Sequence, residues 1–287
     1  LQAGDRVYIE EDSNKLRISK EKKKEKPKKE EKVINVDGKE PQVVMHSITS
    51  AYLDNYRRII IKGDDLPGIV SKVKKWIRDL VALELVEESS TRITARSFLD
   101  LYDVDLKLLV RRIDNIIRSM IIDTKEVLKN EEIAENINSR DEEVNRLSFL
   151  IFRILKTAHE NKELLGELEI EDMGVIRYWE LNLHLEKIGD RTKNIAETVL
   201  KMEKKHQKIF VKLFSKLEEL YKDVMKSFYD FSIEQADKVS IKREKVLKDI
   251  KDYIDELDCT VCSQIAINAY NMAHHINDIA RIVRYLD

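Results

Sequence analysis

His184-Leu185-Glu186-Lys187-Ile188-Gly189-Asp190-Arg191-Thr192-Lys193-Asn194-Ile195-Ala196-Glu197 is the stretch on which the reading of this chain turns. It sits inside a helical pattern running from about Met173 to Met202. Asn182, Glu186, Asp190, Asn194 and Glu197 follow one another at spacings of four, four, four and three, which sets all five on one stripe of a helix. Such a stripe has two readings. It is a solvated helix face, or it is a row of oxygen ligands for a hard cation, with two carboxylates one turn apart.

Working outward, the period of three and four persists from Val104 to the end of the chain. Leu106, Leu109, Ile113, Ile116, Met120, Thr124 and Val127 mark a first long helix. A second covers about Ile133 to His159, and the stretch quoted above lies on the third. A fourth carries Phe210, Phe214, Leu217, Tyr221, Val224, Phe228 and Phe231, a fifth runs from about Lys242 to Glu256, and a sixth from about Thr260 to Tyr285. Short breaks make neighbours antiparallel, so a bundle is expected. The second helix has its own polar stripe, Asn138, Asp141, Asn145 and Ser148. The three-helix order then repeats. Leu185 to Arg191 matches Ala273 to Ile279 in its apolar positions, Asp190 falling on Asp278, and Asp141 to Asn145 falls on Arg243 to Leu247.

With these residues in view, His184 to Glu197 resembles the signature of PhoU proteins, the phosphate-uptake regulators, and the likeness extends from about Asp103 to the end. The resemblance implies a doubled three-helix bundle with Glu-x-x-x-Asp on its third and sixth helices and Asp-x-x-x-Asp on the second. It implies a metal site of Glu186, Asp190, Asp141 and Asn145, with His274 and Asp278 as a second candidate. Asn145 stands where the family has a carboxylate, and Arg243 stands where the second half would need an acid. The implied cofactor is a loosely held divalent or ferric metal, whether iron, zinc, magnesium or calcium. The implied partners are phosphate ABC transporter components or signalling proteins, reached from the cytoplasm, with peripheral membrane association through the transporter.

Ahead of the bundle, the segments differ in character. Residues 1–19 read as two strands, Val7 to Ile9 and Leu16 to Ile18, joined by a turn at Asp12, Ser13 and Asn14. They resemble the second half of an AbrB-like (SpoVT/MazE) swapped-hairpin domain, which implies a homodimer and DNA binding by the intact N-terminus. AbrB-like and PhoU segments together resemble an archaeal regulator. The chain opens at Leu1 without Met, so a preceding segment is expected. Residues 20–45 read as a linker, because 20–32 hold eight Lys, four Glu and one Pro. Residues 46–102 alternate helix and strand as a small α/β module. The expected fold is therefore mainly α: a six-helix bundle over 103–287, in repeats 103–205 and 206–287, preceded by that module and a partial β-hairpin.

Composition agrees. Seven Gly and three Pro in 287 residues leave few breaks for long helices. Charged residues make up 37% of the chain with a net charge of only -2, so the whole molecule has no polyanion-binding character. No apolar run is long enough to span a bilayer. Cys259 and Cys262 form a C-x-x-C pair without the second pair a zinc ribbon needs. They read as small semi-buried side chains, a redox or auxiliary metal role being the alternative. No P-loop, G-x-G-x-x-G or nucleophile elbow is present, which points to a binding protein rather than an enzyme. The rival reading is a bundle that stores or oxidises iron, although such centres use Glu-x-x-His pairs that the third helix lacks.

Overall fold

The computed structural model describes residues 8–12, 15–19, 29–256 and 259–285. Strands β1 (Tyr8–Asp12) and β2 (Lys15–Ser19) pair antiparallel with Tyr8 opposite Ser19. Val7 and the turn residues Ser13 and Asn14 lie outside the described residues.

The α/β module starts earlier than residue 46. Strand β3 (Glu31–Asn35) and the first half of helix α1 (Pro41–Leu53) fall in the stretch that reads as linker. Only Ile34, Val36 and Val44 there are buried, too few apolar side chains to set a period against the neighbouring lysine-rich run. Pro41 sits in the first turn of α1, where its missing N–H costs nothing. Strand β4 (Arg58–Lys62), helix α2 (Val70–Arg78) and strands β5 (Leu83–Glu88) and β6 (Arg92–Ser97) complete the unit. The sheet order is β3-β4-β6-β5, with β3 parallel to β4 through the α1 crossover and the other pairs antiparallel. Ile59, Ile61, Val73, Ile77 and Ile93 lie in its own core.

The bundle follows as α3 (Leu106–Thr124), α4 (Glu132–Glu160), the short α5 (Lys162–Glu167), α6 (Asp172–Val199), α7 (Lys204–Tyr229), α8 (Ile233–Glu256) and α9 (Thr260–Tyr285). Asp105 starts α3 by accepting from the Leu108 N–H at 2.9 Å, one of the donors a helix N-terminus leaves unpaired. Helix α8 begins nearer Ile233 than Lys242. Phe231, which continues the apolar period of α7, instead has φ 48, and Ser232 accepts from the Gln235 N–H to open α8. A capping serine outweighs the hydrophobic period there. Within the first triplet α6 packs on α3 and α4; within the second α9 packs on α7 and α8; and α6 and α9 pack on each other. One apolar core runs through both triplets. Among the described residues, no helix is long and apolar enough to cross a membrane.

Candidate functional site

The polar stripes of α4 and α6 face each other. At the buried end, Asn182 donates its amide to Ser148 Oγ at 3.0 Å and to the Ser148 carbonyl at 3.1 Å. One to two turns along lie Asp141, Asn145, Glu186 and Asp190, the four residues the sequence singles out. Asp141 is buried, and the other three are half-buried. Asn145 Nδ2 donates to Asp141 Oδ2 at 3.3 Å. The middle of each stripe therefore lines a helix interface, whereas the outer ends, Asn138 and Glu197, are exposed.

Lysines complete the cluster. Lys193 Nζ, one turn beyond Asp190 on α6, donates to Asp141 Oδ2 at 2.5 Å and lies 3.7 Å from Asp190 Oδ1. Lys187 lies 2.9 Å from Glu186 Oε2 and 3.6 Å from Asp190 Oδ2. Burial raises the Asp141 carboxyl above its ordinary value; the Lys193 ammonium pulls it back and Asp190 pushes it up again. Burial likewise raises Glu186, opposed by Lys187 and reinforced by Asp190 and Asp141. At Lys193 burial is the largest single effect and works against the charge, but the hydrogen bond and charge of Asp141, together with Asp190 and Glu197, outweigh it, and the ammonium is held above its usual pKa. Three carboxylates thus face two ammonium groups, leaving one uncompensated negative charge.

This donor set suits a hard cation. Asp141 Oδ1 is buried without a hydrogen-bond partner, an open lone pair aimed into the interface. It faces Gly189, where a methyl group would stand 3.7 Å away, so the glycine lets α6 come close to this carboxylate. Asp141, Glu186 and Asp190 are not, however, drawn into one tight ligand set; Lys193 already supplies a positive charge. A metal ion here would have to displace that ammonium.

The second candidate pair is arranged differently from its sequence spacing. His274 packs tilted against Tyr270 with ring centroids 4.4 Å apart, and its Nε2 is buried without a partner. His275 and Asp278 instead meet His184 of α6, the three donor atoms lying within 4.8 Å of one another. The His184 and His275 Nδ1 atoms are 3.3 Å apart. Both His274 and His275 are within one turn of Asp278, so helical spacing cannot choose between them; the α6–α9 contact chooses.

A pH response follows from this pair. Burial lowers both imidazoles below their usual range. Asp278 pulls both up, Glu180 also pulls up His184, and Arg281, Arg191 and Lys187 oppose protonation. The unfolded chain takes up these protons near pH ~6.5, while the folded chain takes them only at lower pH. Between those limits the unfolded state binds more protons. The metal-free protein should therefore lose stability as pH falls from about 7 towards 5. Denaturation midpoints across that range should fall less steeply for His275→Gln than for the natural chain; equal slopes would exclude the pair as the cause.

With the geometry set out, comparison with known proteins places it. Residues 110–199 match the PhoU domain. That stretch holds most of α3, all of α4 and all of α6, and so every member of the carboxylate cluster. The chain is also similar to the crystal structure of the phosphate transport system regulatory protein PhoU from Streptococcus pneumoniae. The TM-score is 0.51 at 19% sequence identity, over 63% of this chain and 92% of that one. The PhoU-like bundle is thus the fold of this region. Among curated proteins, none matches the chain.

Proposed function

We propose that the protein regulates phosphate transport in the manner of PhoU regulators, by binding partners rather than by catalysis. The observation that carries this reading is the PhoU-domain match over 110–199, the stretch that contains the paired α4 and α6 stripes. Its partners are components of the phosphate transporter or the signalling proteins that control it, met at the cytoplasmic face of the membrane. The N-terminal hairpin adds homodimerisation and contact with DNA. Deleting the protein should release phosphate uptake from repression in phosphate-rich cells. Pulldown from such cells should retain a transporter ATPase or a signalling partner. Unchanged uptake with neither partner retained overturns the reading, and an iron-oxidase activity in the purified chain favours the rival one.

Asp141, Glu186 and Asp190, aided by Asn145, hold a divalent or ferric cation in place of the Lys193 ammonium. A cation that binds only the folded chain stabilises it by about 2.7 kcal/mol at a hundredfold excess over Kd. Asp190→Asn should remove that thermal shift, whereas Asp278→Asn should leave most of it. Lys193→Gln removes the competing ammonium and deepens carboxylate repulsion, so it should bind metal more tightly than the natural chain. Weaker binding by Lys193→Gln would show that the metal sits elsewhere.

A further inference from the structure

At the far end of the second helix triplet, three metal-binding side chains that play no part in the α4–α6 cluster come together. They are His206, on the first turn of α7, and Cys259 and Cys262, at the start of α9. Their donor atoms all lie within 4.8 Å of one another. Two helix ends produce this. The Cys259 carbonyl accepts from the Ser263 N–H at 2.9 Å, which makes Cys259 the residue that opens α9. Cys262 then sits one turn in, fully buried, on the same side. The C-x-x-C spacing thereby aims both sulfurs at one point, and α7 brings the imidazole to it.

Tyr253 of α8 is buried beside Cys262, with its hydroxyl against that thiol. The His206 ring is buried too, with no hydrogen bond among the described residues. An imidazole without a protein partner thus stands against two thiols, an arrangement that a metal ion would complete. Glu203, just ahead of α7, lies near enough for its charge to bear on both thiols. The Cys259 sulfur also accepts from the Cys262 and Val261 backbone N–H groups, which lowers its pKa, while burial raises Cys262 to about 11.

We infer that His206, Cys259 and Cys262 bind a zinc ion, with the fourth position filled by Glu203 or water, clamping the start of α9 to the start of α7. Two thiolates and an imidazole form a soft donor set that favours zinc and disfavours magnesium and calcium. Binding replaces two thiol protons with the metal, so uptake releases protons and strengthens with pH. A redox dithiol is the competing use of C-x-x-C, but a disulfide between these cysteines gives no role to the imidazole placed against both.

The test uses the full chain, reduced and stripped of metal. Zinc titrated into it should be retained at one ion per chain after dialysis, and cobalt(II) should give a thiolate-to-metal charge-transfer band. Losing even an outer-sphere partner of a metal site costs about 10–100-fold in affinity, so Cys259→Ser and His206→Gln should each weaken zinc by at least that much. Cys259 is only partly buried, so Cys259→Ser should fold, and circular dichroism of both variants checks this. Asp190→Asn should leave the cobalt band intact, separating this site from the carboxylate cluster. The inference is overturned if zinc is not retained, if retained metal gives no thiolate band, if both variants bind as the natural chain does, or if the pair only cycles to a disulfide.

Discussion

Asn55→Ala should be the most damaging single change in the link between the α/β module and the bundle. Asn55 has φ 59, a left-handed conformation that costs a residue with a Cβ about 1–2 kcal/mol and that asparagine tolerates better than most. Its Oδ1 accepts from Arg153 of α4 twice, from Nε at 3.0 Å and Nη2 at 2.6 Å. Arg153 is among the largest fully buried side chains, and burial lowers its pKa. Ser97 Oγ and the face of the Tyr52 ring are its other contacts, the ring centroid 4.5 Å away. Hydrogen bonds to a charged group are each worth ~1.5–3 kcal/mol. Losing both should remove about 3–6 kcal/mol, before any added backbone cost. Asn55→Gly loses the same bonds but relieves the backbone, so it should recover ~1 kcal/mol of the loss. Because each unit has its own core, the alanine variant should melt in two steps by calorimetry. A single transition within ~2 °C of the natural chain, no more than the shift expected from about 1 kcal/mol in a chain this long, would show that the bonds are unimportant.

Asp114→Ala should weaken the bundle itself by a similar amount. Asp114 of α3 is buried and accepts from Arg118 Nε at 2.8 Å, Tyr221 Oη at 3.0 Å and Tyr229 Oη at 3.0 Å. It ties α3 to α7, and therefore one helix triplet to the other. Burial first, and then the Asp114 charge, raise Tyr221 well above its usual pKa, so that phenol stays a donor. Removing the carboxylate strands Tyr221 Oη in the core and leaves Arg118 without its acid. Breaking a buried charged network costs ~3–5 kcal/mol. Replacing Tyr221 and Tyr229 by Phe in the Asp114→Ala background should restore part of it, since apolar groups leave nothing unsatisfied. Urea midpoints with an unchanged m-value are the measure. A loss below ~1 kcal/mol would show the network to be solvated, because a neutral hydrogen bond alone contributes about that.

The reading of the sequence and the structure agree where the physics is local. Helix α9 starts and ends at the residues its apolar period predicts, and α4 and α6 differ from their predicted spans by at most a few residues. A period of 3.6 is written along one stretch of chain and needs no partner to be read. Where two local signals compete, the reading slips: Ser232 opens α8 against the continuing apolar pattern, and β3 hides inside a lysine-rich run.

By itself, the sequence determined the helical bundle, the doubled three-helix order, the stripe from Asn182 to Glu197 and the residue types able to hold a cation. Only tertiary structure decided what meets what. It put Lys193 on Asp141, chose His275 over His274 for the contact with His184 and Asp278, and brought His206 to a C-x-x-C pair more than fifty residues away. The reason is physical. Spacing along one helix sets which side chains share a face, but the helix facing it is chosen by the burial of apolar area over the whole core. A site built across helices therefore exists only once the core has closed.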